Sequence, residues 1–467
     1  MCGVVGGVGA APAGALVGIQ HRGPDAEGVV EVEGWWLGHT RLAIRDLDPR
    51  SDQPFRFGDI VLVYNGELWN ADELRQELRS AGCAFQTSGD TEVLAASLSQ
   101  WGVDALPKLN GMFAIAWVDE RDGILRLSRD RYGEVPLHWS PRGGDFAFAS
   151  ELKGLAGISK LSPDARWVEP GEVIEVAREP FHVHRRRWHA QSAWPPFEGS
   201  RDNVAAEARR LLTASTIERA VSDVPVCCLL SGGIDSSAIV RLLSSLIPNL
   251  TTYIAIQDPA SPDLRAAREV SSACDVELRE VVIPKPSATD LQEVVRSIEI
   301  PHKAQVEIGW PCLVLARRMR EDGFKVTFSG EGADELLGSY GFVDLALRDG
   351  EDFHVVRKKL FTAQHRKNFA RANKVFMAHG VECRLPFLNP DLVDTFLRFT
   401  LGQVRHKSRR KMPLTNAFTQ DLPSRVTRRA KLAFQVGLGD YRDSCAEAVG
   451  GDPIKTYRSW VRKMRYQ

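Results

Sequence analysis

Three stretches of the 467-residue sequence carry residue types whose spacing could do chemistry. The first is Met1-Cys2-Gly3. A thiol needs a base before it becomes a nucleophile, and a free α-amine, with a reference pKa of about 7.7–8.0, can serve if the cysteine is the first residue of the chain. The second is Ser231-Gly232-Gly233-Ile234-Asp235-Ser236-Ser237. Gly232 and Gly233 let the backbone approach an anion, Ser231, Ser236 and Ser237 supply hydroxyl donors, and a following helix start would aim free N–H groups at phosphates. Asp235 could hold Mg²⁺ against a pyrophosphate group. The lysine of the G-x-x-x-x-G-K-[ST] loop is absent. The third is Ser329-Gly330-Glu331-Gly332-Ala333-Asp334-Glu335, where Ser329 and Gly330 could meet a nucleotide and Glu331, Asp334 and Glu335 offer carboxylates to a metal or an activated substrate.

The elements that must position these residues fall into two kinds. Up to about Val183, short apolar runs such as Ile60–Tyr64, Met112–Val118 and Phe146–Ala149 alternate with turn residues and predict strands of β-rich layers, with helices over 71–82 and 91–102. Residues 185–202 mix basic, aromatic and Pro-Pro character without a period and read as a linker. Beyond it, a helical pattern, the apolar run Val226–Leu230, the glycine loop with its helix, and the strand-like Thr251–Ile256 predict an α/β domain built on a parallel sheet. From about Asp344 the pattern is mostly helical and more basic.

Composition narrows the function classes. Lys and Arg number 60, and so do Asp and Glu, which gives no electrostatic ground to expect nucleic acid or an anionic membrane as a partner. The eight cysteines are scattered without a C-x-x-C pair, as for reduced thiols in a cytoplasmic protein. No apolar run reaches membrane-spanning length. The uncharged Gly3–Gln20 follows no Lys or Arg and is broken by glycines, which argues against a secretion signal. The basic run Arg405–Lys411 reads as a solvated loop, although it could draw in an anionic substrate.

The loop 231–237 resembles the pyrophosphate loop of ATP-pyrophosphatase enzymes. Further blocks, among them HRGPD (21–25), RLAI (41–44), YNGELWN (64–70), SGDTE (88–92), RDRYGEVPL (129–137), SGEGADE (329–335) and RANKVFMAHGVECRLPFL (371–388), resemble the glutamine-hydrolysing, class B type asparagine synthetases nearly end to end. The resemblance implies an α+β N-terminal Ntn-hydrolase αββα sandwich acting as glutaminase (1–184), the linker (185–202) and an α/β ATP-pyrophosphatase domain (203–467). It implies that Met1 is removed and that Cys2 attacks the glutamine side-chain amide. Asn65 and Gly66 would form the oxyanion hole, and Arg41, Leu42, Ile44, Glu67 and Asp90 would bind glutamine. ATP would lie against Leu230, the loop residues Ser231, Gly232, Gly233, Asp235, Ser236 and Ser237, Ile256, Ser329 and Gly330, with Mg²⁺ on Asp235 and Asp334. Glu331 would serve the acyl-adenylate and Lys431 would neutralise its charge. Glutamine, ATP and a carboxylate acceptor are the implied small-molecule partners, and a homodimer the implied assembly.

Departures concentrate at the acceptor. Where the family has Thr-Thr-x-Arg-Ala-Ser, this chain has Ala304 and Gln305 for the threonines and Glu307 for the arginine; a glutamate there would repel a carboxylate. Leu432, Ala433 and Val436 replace polar residues after Lys431, and Asn389 replaces an aspartate. These changes point to an acceptor other than free aspartate. A β-lactam-synthetase-like ring-closing enzyme and a degenerate binding protein are the competing readings; an intact Cys2, Asn65 and Gly66 speak against the former, and complete 231–237 and 329–335 loops against the latter.

Overall fold

Consecutive apolar positions in a strand need burial on both faces, and the runs in the first third of the chain have that character. The computed structural model of the protein, which describes residues 1–142, 145–158, 164–190, 195–407, 409–428 and 441–466, provides it by stacking two antiparallel sheets between helices. The strands are β1 (Gly3–Val8), β2 (Ala26–Val32), β3 (Trp35–Arg41), β4 (Phe55–Phe57), β5 (Ile60–Leu68), β6 (Gly111–Asp119), β7 (Ile124–Arg129), β8 (His138–Arg142), β9 (Asp145–Ala149), β10 (Arg166–Trp167), β11 (Glu172–Arg178) and β12 (Phe181–Arg187). They form two six-stranded sheets, ordered β10-β8-β9-β1-β3-β2 and β12-β11-β7-β6-β5-β4.

Val4, Trp35 and Leu37 of the first sheet meet Val61, Val63 and Ala114 of the second in one core. Ile60, Leu62, Ile115 and Trp117, on the other face of the second sheet, are covered by α1 (Ala71–Ser80) and α2 (Asp90–Trp101). Val5, Trp36 and Ala147 are covered by Leu152 and Leu155 of α3 (Leu152–Ile158). The result is a helix–sheet–sheet–helix sandwich. Its registers place the first chemical group: Gly3 pairs with Thr40, so Cys2 lies beside Arg41 and Leu42, while Asn65 and Gly66 face Ala114 and Phe113 across β5–β6. Strand β12 pairs through Arg187 with Glu172, so Arg185, Arg186 and Arg187 belong to the sheet, and the connecting chain is shorter than its composition predicts.

Helix α4 (Arg201–Arg219), started by a capping box between Ser200 and Asn203, opens the second unit. Its sheet, β13 (Val226–Leu229), β14 (Thr251–Ile256), β15 (Glu277–Val282), β16 (Val326–Phe328) and β17 (Glu382–Arg384), is parallel throughout with order β15-β14-β13-β16-β17. That order reverses direction between β13 and β16, and loops leaving the carboxyl ends of strands at such a point form a crevice suited to a ligand. The 231–237 and 329–335 loops leave those two strands. Around the sheet lie α5 (Ile234–Leu243), α6 (Pro262–Cys274), α7 (Ala288–Ile298), α8 (Lys303–Glu321), α9 (Ala333–Leu337), α10 (Gly341–Arg348), α11 (Phe353–Thr362) and α12 (Asn368–Met377). From Phe369 to Met377 every residue of α12 is buried, although Arg371, Asn373 and Lys374 are polar.

The polar side chains of α12 are satisfied within the second unit at Arg371 and Lys374 and across the seam at Asn373. Lys374 Nζ lies 2.5 Å from Glu299, whose carboxylate also accepts the backbone N–H groups of Leu152 (3.0 Å) and Lys153 (2.9 Å). Removing one partner of a buried ion pair strands the other, at a cost of about 3–5 kcal/mol. Lys374→Met is therefore expected to lower unfolding stability by about 3 kcal/mol, read as a lower denaturant midpoint; an unchanged midpoint would show that Glu299 is satisfied by its two N–H donors alone.

Candidate active sites

Cys2 is buried and lines a cavity with Arg41, Leu42, Ile44, Gly66, Glu67 and Asp90, so six of the seven expected glutamine-site residues, all but Asn65, share one space with the thiol. Asn65 stands behind it: its Oδ1 accepts the Cys2 N–H at 2.7 Å, while its Nδ2 is buried without a hydrogen-bond partner among the described residues. An amide donor left open beside a nucleophile is what a developing oxyanion needs. Gly66 cannot be replaced by a larger residue, because a Cβ there would come within 2.1 Å of the Met112 carbonyl oxygen. Burial pushes the Cys2 thiol above its ordinary value. Thiolate formation here needs a local base, and with Met1 attached the Cys2 nitrogen is an amide that cannot accept a proton.

The charged groups of the cavity are braced from outside it. The Arg41 guanidinium is held by Asp52 (2.6 Å) and by the carbonyls of Asp48 and Asp46, which fixes its direction. Asp90, at the first position of α2, accepts from the Tyr64 hydroxyl at 3.0 Å and the Leu68 N–H at 2.9 Å. Glu67 has only distant cations, Arg45 and Arg384, each at 3.9 Å. Burial, reinforced by the nearby Glu382 and Asp90 carboxylates, raises Glu67 to about 8.

In the second unit, Gly232 has φ +70° and no room for a Cβ, which would meet the Asp263 carbonyl at 2.6 Å. Ser231 and Ser236 hydroxyls lie 3.0 Å apart, and Ser237 Oγ is buried without a hydrogen-bond partner among the described residues. Gly330 brings the two loops together: a Cβ on it would lie 2.9 Å from Asp235 Cβ and 3.1 Å from the Ser236 nitrogen. Ser329 is buried, and its Oγ accepts the Glu331 N–H at 3.3 Å. Leu230 and Ile256 are buried at the carboxyl ends of the adjacent strands β13 and β14, and the Leu230 N–H bonds the Tyr253 carbonyl at 2.9 Å.

Glu331 pairs with Arg371, which also reaches Gln305 Oε1 at 2.8 Å; Gln305 in turn donates to Asn368 at 2.8 Å. Asn368 and Tyr340 both donate to Glu335 at 2.6 Å. Burial and the neighbouring Glu331 and Asp334 raise Glu335 to about 7. Glu307 takes no part in this cluster. It is buried on α8 with Lys303 at 3.7 Å, and its backbone carbonyl accepts from Tyr441 at 2.8 Å in the C-terminal helix Tyr441–Val449. Two residues apart on an α-helix, Gln305 and Glu307 point about 200° from each other, and Gln305 is the one that reaches the arginine of Glu331. Lys431, with Leu432, Ala433 and Val436, lies outside the described residues.

In the basic run 405–411, His406, Lys407 and Arg409 are exposed as a solvated loop would have them, but Arg405, Arg410 and Lys411 are engaged by acids. Arg405 and Arg410 both clamp Asp344, and Lys411 turns inward, its Nζ bridging Asp235 and Asp334, the latter at 2.6 Å. Burial opposes the Lys411 charge, yet the two carboxylates hold it above the ordinary lysine value. Lys411 adopts φ +57°, ψ +34°, a left-handed conformation that costs a non-glycine residue of order 1 kcal/mol. Sequence reading missed it because its basic neighbours mask it. Among the described residues no three His, Cys, Asp or Glu side chains cluster to hold a metal. Asp235 and Asp334 nevertheless converge on one point, the Lys411 ammonium.

Two outcomes follow from this geometry. Below pH 8 Glu67 must lose a proton before it can face an ammonium group, so the KM for glutamine should fall about tenfold between pH 6.5 and 8 in the wild type and become flat in Glu67→Gln; a flat wild-type profile would remove Glu67 from ammonium binding. Lys411→Met should let the nucleotide-free protein bind Mn²⁺ at least about tenfold more tightly, measured by electron paramagnetic resonance; unchanged affinity would show that the ammonium and a metal do not share the two carboxylates.

Residues 1–185 match the glutamine amidotransferase domain family, and residues 207–370 and 347–450 match the asparagine synthase family. The chain is 29% identical over 94% of its length to asparagine synthetase B (glutamine-hydrolyzing) of Escherichia coli (strain K12), covering 82% of that protein. It is 31% identical over 90% of its length to asparagine synthetase (glutamine-hydrolyzing) 2 of Oryza sativa subsp. japonica and to asparagine synthetase (glutamine-hydrolyzing) of Zea mays, covering 73% and 74% of them. With both domains matched in this order around the two sites, the chain belongs to the glutamine-hydrolysing asparagine synthetase family of carbon–nitrogen ligases.

Proposed function

We propose that Cys2, freed by removal of Met1, releases ammonia from glutamine, and that this ammonia amidates a carboxylic acid activated with ATP in the second domain. The α-amine of Cys2 takes the thiol proton; Sγ bonds to the side-chain carbonyl carbon while Asn65 Nδ2 and the Gly66 N–H receive the oxyanion. Collapse breaks the C–N bond as the nitrogen takes that proton back from the α-ammonium and leaves as ammonia, and water then cleaves the thioester to glutamate and the free Cys2 thiol. Arg41 faces the α-carboxylate of glutamine, and Glu67 and Asp90 its α-ammonium. In the second domain an acceptor carboxylate oxygen bonds to the α-phosphorus of ATP and pyrophosphate leaves. The 231–237 loop cradles the departing phosphates, with the adenine against Leu230 and Ile256, and Lys431 offsets charge at the adenylate. Mg²⁺ held by Asp235 and Asp334 would supply charge neutralisation at the pyrophosphate. Ammonia then bonds to the acyl carbon, AMP leaves, and the nitrogen loses a proton.

The observation that carries this reading is that Cys2, the braced Arg41 and Asp90, and Glu67 line one cavity with Asn65 bonded to the Cys2 N–H behind it, on a chain whose second sheet presents two Ser-Gly loops at its point of reversal. The acceptor is aspartate or a related or larger carboxylic acid, met at the Glu331 cluster by Arg371, which Gln305 also holds. Cys2→Ala should abolish glutamate release from glutamine, by a factor of at least about a thousand, while ATP–pyrophosphate exchange with a panel of carboxylic acids stays intact. Glutamine hydrolysis surviving in that variant would refute the nucleophile, and turnover yielding ADP and phosphate would refute adenylation.

A further inference from the structure

The Arg22 guanidinium is wholly buried and holds three groups at once. Its Nε donates to the Cys2 carbonyl at 2.9 Å, Nη1 to Glu151 at 2.5 Å, and Nη2 to Asn373 Oδ1 at 2.9 Å. The first two partners are in the amidotransferase domain; Asn373 is on α12, in the synthetase domain. A guanidinium is a rigid planar fork, so its three directions cannot be set independently. The Cys2 nitrogen is held by Asn65 and its carbonyl by Arg22, and these two bonds fix the Cα between them and hence the Cα–Cβ bond from which Sγ extends. Helix α12 also carries Arg371, two residues away and about 3 Å along the axis, on Glu331 of the adenylation cluster.

We propose that Asn373 is a positioning residue for the Cys2 thiol: acting through Arg22, a side chain of the synthetase domain sets the geometry of the glutaminase nucleophile. Its other amide atom, Nδ2, faces the Met1 sulfur at 2.9 Å, a contact that leaves with Met1, whereas the Oδ1 contact to Arg22 does not depend on Met1. Asn373 does not touch glutamine, so its loss affects turnover rather than binding. The inference rests on the glutaminase reading above. Glutamate release by the wild type tests that reading, and the ratio of variant to wild type tests this one.

Three readouts on the full-length protein need no knowledge of the acceptor: glutamate release from glutamine alone, the alkylation rate of Cys2 by 6-diazo-5-oxo-L-norleucine, and binding of a non-hydrolysable ATP analogue. Asn373→Ala should lower kcat for glutamate release and the alkylation rate at least about tenfold, with KM and analogue affinity within twofold of wild type. Asn373→Asp, which keeps an oxygen for Arg22, should restore most of the rate. The proposal is overturned if Asn373→Ala retains wild-type rates, if Asp fails to rescue, or if analogue binding falls in parallel, since that would mark a general loss of structure.

Discussion

The constraint on which the rest depends is the buried ionic seam between the two domains. Arg22 and Glu151 on one side, Glu299, Lys374, Glu382 and Arg384 on the other, are all fully or nearly fully buried. Transferring any one of them alone from water would cost several kcal/mol; each is paired within its own domain, Arg22 with Glu151, Lys374 with Glu299 and Arg384 with Glu382, and the opposite surface supplies further hydrogen bonds to these pairs. Glu299 collects two N–H groups from the start of α3, Arg22 crosses to Asn373 at 2.9 Å, and Lys325 crosses to Asp25 at 2.7 Å. A shift of the domains by one side chain would break several of these bonds at once. Apolar packing alone tolerates sliding, and one hydrophobic core runs continuously through both units, so the charges fix the docking register.

That register has a chemical effect inside the first site. Glu382 belongs to the edge strand of the synthetase sheet, yet it is the largest charged contributor to the raised proton affinity of Glu67, while Arg384, two residues on, pulls the other way. The glutamine cavity is therefore electrostatically complete only when the second domain is docked. The second site obeys a different rule. There the strand order reverses between β13 and β16, both strands end in loops at the same crevice, and Gly330 lets those loops touch without a side chain between them.

What could be read from the sequence was whatever is local. The 231–237 loop and the acids after Ser329 announce themselves because the residues that act together are adjacent in the chain, and β5 and β6 follow from their apolar runs. Lys411 was hidden because its direction is decided by Asp235 and Asp334, each more than 70 positions away, and by a left-handed backbone that no neighbouring glycine signals. The extra length of β12 was hidden because an edge strand with polar residues on both faces, Arg185 to Arg187, has the composition of a linker. Helix α12 lies in the stretch read as helical and basic, but its polar side is buried, since Arg22, Glu299 and Glu331 reach it from other elements.

Position 307 shows why substitution alone is a poor guide to specificity. Exchanging a cation for a carboxylate at a buried site leaves a charge that must be met locally, and Lys303, one turn earlier on α8, stands 3.7 Å from Glu307. The pair keeps that end of the helix close to neutral, so the electrostatic consequence for an acceptor near Glu331 is smaller than the change in sign suggests. Under the proposed function, discrimination between acids falls instead to the groups whose hydrogen bonds converge at that cluster, Arg371, Gln305 and Asn368, and Gln305 already occupies part of the Arg371 guanidinium through a neutral amide.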